Sequence, residues 1–227
     1  VELGGWVKKL ADNKLVVFSG LDGAGKTTQI QGLMDEWRAT GRSLVYLWTR
    51  GGYTPLFTLL KKILRMGRMV PPAGPSQARS QSISRPVVRK VWLTVSILDL
   101  ILVYGLLVRW WLMTGKSVVC DRYLWDTLID FQLNFPQEKV ERWVLWRLLT
   151  WVTPVPDAAF LLLIPVEESL LRSQLKGEPF PDTPEVLSER LTAYRSQAEQ
   201  GRWRVIDGLL PRDEVAASIQ NTLGALR

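Results

Sequence analysis

The run Gly20-Leu21-Asp22-Gly23-Ala24-Gly25-Lys26-Thr27 has the residue types and spacing of a phosphate-binding loop: a glycine, four residues, then Gly-Lys-Thr. Each part has a chemical task. The glycines permit backbone angles that a Cβ forbids, so successive N–H groups can turn inward on an anion. Lys26 reaches the β- and γ-phosphates of a triphosphate, and the Thr27 hydroxyl is a ligand for Mg²⁺. Gly20, Asp22, Gly23, Ala24, Gly25, Lys26, Thr27 and Thr28 are the candidate nucleotide-binding residues. A second run, Ser117-Val118-Val119-Cys120-Asp121-Arg122-Tyr123, ends an apolar stretch in a carboxylate. Asp121 would hold Mg²⁺, directly or through water, near Thr27. Arg122 follows at once, and its planar fork suits a second phosphate.

The rest of the composition narrows the chemistry. Among 227 residues there is no His and one Cys, Cys120. That excludes an imidazole base, a Ser-His-Asp triad, a disulfide framework and a Cys- or His-based zinc site. Any metal is a hard cation held by oxygen. The net charge of +7 favours anionic partners. No motif points to nucleic acid, because the basic residues are scattered rather than clustered with aromatics. The stretch 1–15 has no continuous apolar run of the signal-peptide kind, and the expected location is the cytoplasm.

These motifs need strands and helices to hold them. Leu15–Ser19, Leu44–Trp48, Ser117–Asp121, Ala158–Ile164 and Trp203–Asp207 are short and mostly apolar, the pattern of strands buried on both faces. Helical patterns cover Lys26–Thr40, Pro55–Arg65, Val87–Met113, Gln137–Val152, Val166–Leu175, Pro184–Glu199 and Pro211–Leu226. The alternation predicts one α/β domain over residues 1–227, with a parallel sheet between helical layers. Residues 70–85, rich in Pro, Ser, Gly and Gln, read as a mobile loop or a plain linker, and 177–184 as a second Pro-rich connection. Val91–Met113 is long enough to span a bilayer, but Asp99 near its middle favours a core helix. With the Trp-rich stretch Trp143–Trp151 it could instead form an apolar, basic face against a membrane.

Taken together the motifs resemble those of the thymidylate kinases. Val17 to Gln29 is similar to that family's opening, Asp121-Arg122-Tyr123 to its Asp-Arg-Tyr element, Thr49 to Leu56 to its Arg-Glu-Pro-Gly-Gly-Thr-Pro-Leu loop, and Val205-Ile206-Asp207-Gly208 to its last strand. The resemblance implies a three-layer P-loop fold with five parallel strands, a lid near 172–184, and transfer of the γ-phosphoryl of Mg-ATP to a nucleoside monophosphate, thymidylate first. It implies catalytic roles for Asp22, Lys26, Arg122 and a lid arginine, for which Arg172 is the candidate. Asp22, Arg50, Tyr53, Asp99, Arg122 and Tyr123 would contact the acceptor. The family precedent is a homodimer. The chain departs from the pattern at three places: the Glu-Pro pair after Arg50 is missing, Tyr53 is inserted, and Ser96–Ile101 carries Asp99 where the family has a base-reading Arg. The alternatives are a kinase for another nucleotide, a sugar phosphate or a lipid-linked phosphate, and a nucleotide-dependent switch.

Overall fold

The computed structural model describes residues 13–49, 85–177 and 182–225. Arg50, Tyr53, the helical pattern at 55–65 and the loop at 70–84 lie outside them. The five apolar runs form five parallel strands: β1 (Leu15–Gly20), β2 (Leu44–Trp48), β3 (Ser117–Asp121), β4 (Ala158–Leu163) and β5 (Arg204–Asp207), in the order β2-β3-β1-β4-β5. Every residue of β1 and β3 is buried, as strands covered on both faces by helices must be. With β1 central, its carboxyl end opens between β3 and β4, the place where open α/β sheets bind ligands. Phe18 aligns with Asp121 and Gly20 with Leu162. The loop leaving β1 therefore starts beside the acidic end of β3.

Seven helices are described: α1 (Lys26–Ala39), α2 (Pro86–Met113), α3 (Leu124–Asn134), α4 (Val144–Val152), α5 (Val166–Leu175), α6 (Pro184–Ala198) and α7 (Arg212–Gly224). Helix α2 opens on a proline, whose missing N–H has no partner to lose at that position. It widens into a π-helical stretch over Ile101–Val108. Leu93, Ile97, Leu100, Tyr104 and Val108 recur at helical spacing and are wholly buried. This is the core-helix pattern, although by length and composition alone α2 could also cross a membrane. Gly105 lets α4 approach closely: a Cβ there would sit 3.0 Å from Val152 Cγ2.

Three expectations are corrected. The outer strands β2 and β5 are not buried on both faces: no residue of β2 is buried and only Ile206 of β5 is, because they are the two edges of the sheet. Helix α3 was not expected, since its short apolar repeat follows the Asp-Arg-Tyr turn without a break. The single helix expected over Gln137–Val152 is instead two 3₁₀ turns, Pro136–Glu138 and Val140–Arg142, followed by α4. Lys139 between the turns has φ 46°, a left-handed conformation that a continuous right-handed helix excludes.

Gly20 is where the central strand hands over to the loop. Its φ is 138°, and a Cβ would lie 2.2 Å from the Leu162 carbonyl oxygen of β4. Gly20→Ala is expected to cost about 3 kcal/mol or more, through backbone strain and a clash with an immobile strand. A urea-denaturation midpoint close to that of the parent would contradict this.

Candidate active site

The loop is held from both sides. Gly20, Gly23 and Gly25 have φ of 138°, 79° and 89°, values that L side chains rarely adopt. On the outer side α5 supports the backbone: Ser169 Oγ donates to Asp22 O at 2.7 Å, and Arg172 Nη1 donates to Gly23 O at 3.1 Å and Gly208 O at 3.3 Å. The Gly23 Cα sits so close to α5 that a Cβ would fall 2.9 Å from Arg172 Cβ. On the inner side Lys26 Nζ donates to Gly20 O at 3.0 Å and Leu21 O at 2.8 Å. No side chain caps α1, and its first turn carries no acid. The N–H groups at its start and the positive end of its dipole are left to an external anion. Thr27 and Thr28 are exposed at that point.

Arg122 faces the loop from the end of β3. It is 3% exposed, with φ 72°, a left-handed turn that costs strain in a non-glycine residue. Its Nη2 donates to Asp22 Oδ1 at 2.5 Å, and Lys26 Nζ lies 4.0 Å from the same oxygen. One carboxylate oxygen thus stands between the cation of the loop and the cation of β3. Behind Arg122 sits Asp126 of α3, 1% exposed. Its Oδ2 accepts from Ser19 Oγ at 2.5 Å and Tyr123 N at 2.9 Å, and its Oδ1 accepts from Tyr194 OH at 2.6 Å. Arg122 Nη1 is 3.9 Å from that Oδ1 and donates to Tyr194 OH at 3.3 Å. Burial alone would lower the pKa of Arg122, but Tyr194, Asp22 and Asp126 outweigh it, so the guanidinium stays charged.

Asp121 lies beside these cations. Tyr46 OH donates to its Oδ2 at 3.2 Å, whereas its buried Oδ1 accepts no hydrogen bond. Burial raises Asp121 above the usual carboxylate range, against the pull of Lys26 and Arg122. Burial and the neighbouring Asp121 push Tyr46 up to about 12, which keeps it a donor. A buried carboxylate oxygen without a donor, on the strand beside the one that leads into the loop, fits a cation such as Mg²⁺ that keeps most of its ligands as water and phosphate oxygen. Among the described residues no group of three or more Cys, Asp or Glu gathers to hold a metal by protein alone.

The remaining candidates fall into different places. Tyr123 is 2% exposed; its hydroxyl donates to Pro154 O at 3.0 Å and its ring lies 4.4 Å from that of Tyr104. The core takes nearly all of it, and its hydroxyl is already engaged. Asp99 is 3% exposed on the inner side of α2. Arg172 is tied to Glu168 at 2.5 Å as well as to the loop carbonyls, so in this arrangement it braces the loop from outside. Arg190 of α6, which is not among those candidates, points inward to Asp130 at 2.5 Å and Asp182 at 3.4 Å. Of the expected lid, 172–177 closes α5 and 182–184 opens α6. Asp126, Tyr194, Ser169 and Tyr46 were missed. Asp126 was readable as a carboxylate one helical turn beyond Arg122, whereas the others come from distant segments with no motif of their own.

Burial and the Arg122 cation together pull Lys26 down from 10.5 to about 8, against Asp22, Asp121 and Asp126. Between these values the unfolded chain carries a proton that the folded one has lost. Stability contributed by Lys26 therefore rises with pH from about 8 to about 10.5 and is flat on either side. Measured as the difference between the parent and Lys26→Met, the unfolding free energy is expected to rise by on the order of 2–3 kcal/mol across that window. A pH-independent difference would contradict the burial of a charged amine.

No family model matches the chain. It is, however, 30% identical over 225 residues to the thymidylate kinase of Bordetella petrii, covering 95% of this chain and 97% of that one. The thymidylate kinase of Thermomicrobium roseum is 29% identical over 92% of this chain and 93% of its own. A probable thymidylate kinase of Pyrococcus abyssi is 27% identical over 90% and 92%. At 30% identity over 95% of this chain and 97% of the Bordetella protein, the likeness settles the family: the chain belongs to the thymidylate kinases.

Proposed function

We propose that the chain transfers the γ-phosphoryl group of ATP to thymidylate, releasing ADP and thymidine diphosphate. The observation that carries this reading is the shared carboxylate: Asp22 Oδ1 lies 2.5 Å from Arg122 and 4.0 Å from Lys26. The two cations bracket a single oxygen, so two phosphate chains bound to them would meet end to end. Transfer of this kind asks for positioning and neutralised charge rather than a strong base. A chain without histidine can therefore perform it.

The loop amides and Lys26 take the donor's β- and γ-phosphates. The cleft of about 240 Å³ beside the loop, lined by Ala24, Gly25, Thr28, Gln29, Arg172 and Arg212, takes the donor's base and sugar. Arg122 takes the acceptor phosphate. Asp22, released from Arg122 by that phosphate, is left to accept from an acceptor sugar hydroxyl. Thr27 and Asp121 would hold Mg²⁺, which when bound neutralises charge on the β- and γ-phosphates. Arg50 and Tyr53 are read as further acceptor contacts, and Asp99 as a residue of the wall beside the acceptor. The residues between 172 and 184 are read as the lid of a single domain spanning 1–227. A second copy is read onto the exposed stripe of Leu98, Leu102, Leu106, Trp110 and Met113 on α2. The substrates are those of the cytoplasm, and no membrane or nucleic acid is needed. The switch and the other acceptors find no support among the similar chains named above, each of which carries the thymidylate kinase name.

Incubation with ATP, Mg²⁺ and single nucleoside monophosphates, followed by ³¹P NMR, tests the reading. Thymidine diphosphate and ADP should appear in equal amounts; ADP formation indifferent to thymidylate would overturn it. Arg122→Gln should lower kcat/KM for thymidylate by about 10³ or more, since a buried charge-assisted phosphate contact is lost. Asp121→Asn should raise the Mg²⁺ concentration for half-maximal rate about tenfold and leave thymidylate binding without metal little changed.

A further inference from the structure

A second cavity lies on the face of the sheet beneath the start of α3. It measures about 350 Å³ and is walled by Val17 and Ala159 from the strands, Tyr123 from the turn after β3, Trp125 from α3, Pro154 from the loop after α4, and Trp203 from the turn before β5. None of the loop residues Gly20–Thr28 lines it. Its size falls in the range of small-molecule pockets, and its wall is almost wholly apolar.

The hydroxyls of the lining residues Thr150 and Thr153 are already engaged on Trp146 O and Leu149 O. Two further polar groups break that wall. Trp203 is 7% exposed, and its buried indole N–H has no hydrogen-bond acceptor. An unmet buried donor is uncommon in folded proteins and calls for a reason. The second group is Arg202, which lines the same cavity from the solvent side. Its guanidinium lies 4.2 Å from the centroid of the Trp125 ring, and no carboxylate among the described residues pairs with it. Stacking on an aromatic ring leaves the N–H edge of a guanidinium available to a carboxylate.

We propose that this cavity is a binding site for a flat, apolar carboxylic acid of about a dozen heavy atoms. The apolar body would fill the space between Val17, Ala159 and the aromatic rings. The anionic end would face Arg202, and an acceptor oxygen would satisfy the Trp203 N–H. The site is independent of the phosphoryl-transfer reading, because it shares no ligand-contacting residue with the loop or with Arg122.

2-Naphthoate and its neutral amide serve as probes, titrated into the full chain by calorimetry with and without saturating ATP. The acid is expected to bind one per chain whether or not ATP is present, and about tenfold tighter than the amide. Arg202→Gln should erase that preference. Ala159→Leu, which fills the cavity, should abolish binding of both probes. Trp203→Phe keeps a smaller aromatic ring on the wall and removes the donor; it should weaken binding about fivefold, and it decides the matter if the leucine variant does not fold. Absence of binding at millimolar probe would overturn the proposal. So would displacement by ATP, or affinity unchanged in both Arg202→Gln and Trp203→Phe.

Discussion

Two cations that would repel each other are held a few ångströms apart in a buried site by one carboxylate. Lys26 and Arg122 both lean on Asp22 Oδ1, and the arrangement exists because β1 and β3 are neighbours in a parallel sheet. Their repulsion is visible in the lysine, which burial and Arg122 pull down to about 8. Asp22 relieves it from the loop, and anionic phosphates would relieve it further. The free energy that the fold spends on desolvating these charges would then be recovered on binding an anion, which is how a preorganised electrostatic site differs from a merely stable one.

Such a site needs a rigid backing. Asp126 supplies a buried anion behind Arg122, and three donors from three elements fix its position: Ser19 of β1, the Tyr123 amide at the start of α3, and Tyr194 of α6. The opposite side of the loop rests on Ser169 and Arg172 of α5. Helices α5 and α6 flank the expected lid segment. One of them braces the loop and the other reaches Arg122, so the two helices are tied to the two sides of the site. The exposed start of α1, free of acids and side-chain caps, is the part of the site left open.

Much of this was legible in the sequence for a physical reason. Strands buried on both faces must be short continuous apolar runs, so β3 is legible with the bounds it has and β1 and β4 within a residue; β2, an edge strand with Tyr46 and Trp48 exposed, shows the same apolar run without that burial. The loop was legible because phosphate binding demands a fixed spacing of glycine, lysine and hydroxyl. Helix α3 was hidden because its first residues belong to a turn motif, and Leu124 to Asn134 is too short to show a period clearly. Tyr194 lies 68 residues from Asp126, and nothing local marks a tyrosine whose partner is brought to it only by the fold. Tyr123 shows the converse: an aromatic beside a site motif invites a binding role, yet its phenol is used up on Pro154. Family membership follows from likeness along nearly the whole chain.

The most direct test is equilibrium binding of adenosine and thymidine joined 5′ to 5′ through five phosphates. If the nest at the start of α1 and the Arg122 fork face one another across Asp22, one such molecule binds per chain, is displaced by either ATP or thymidylate, and binds at least a hundredfold more tightly than either alone. Two molecules bound per chain, or displacement by only one of the two nucleotides, would show that the cations serve separate sites and would contradict the account.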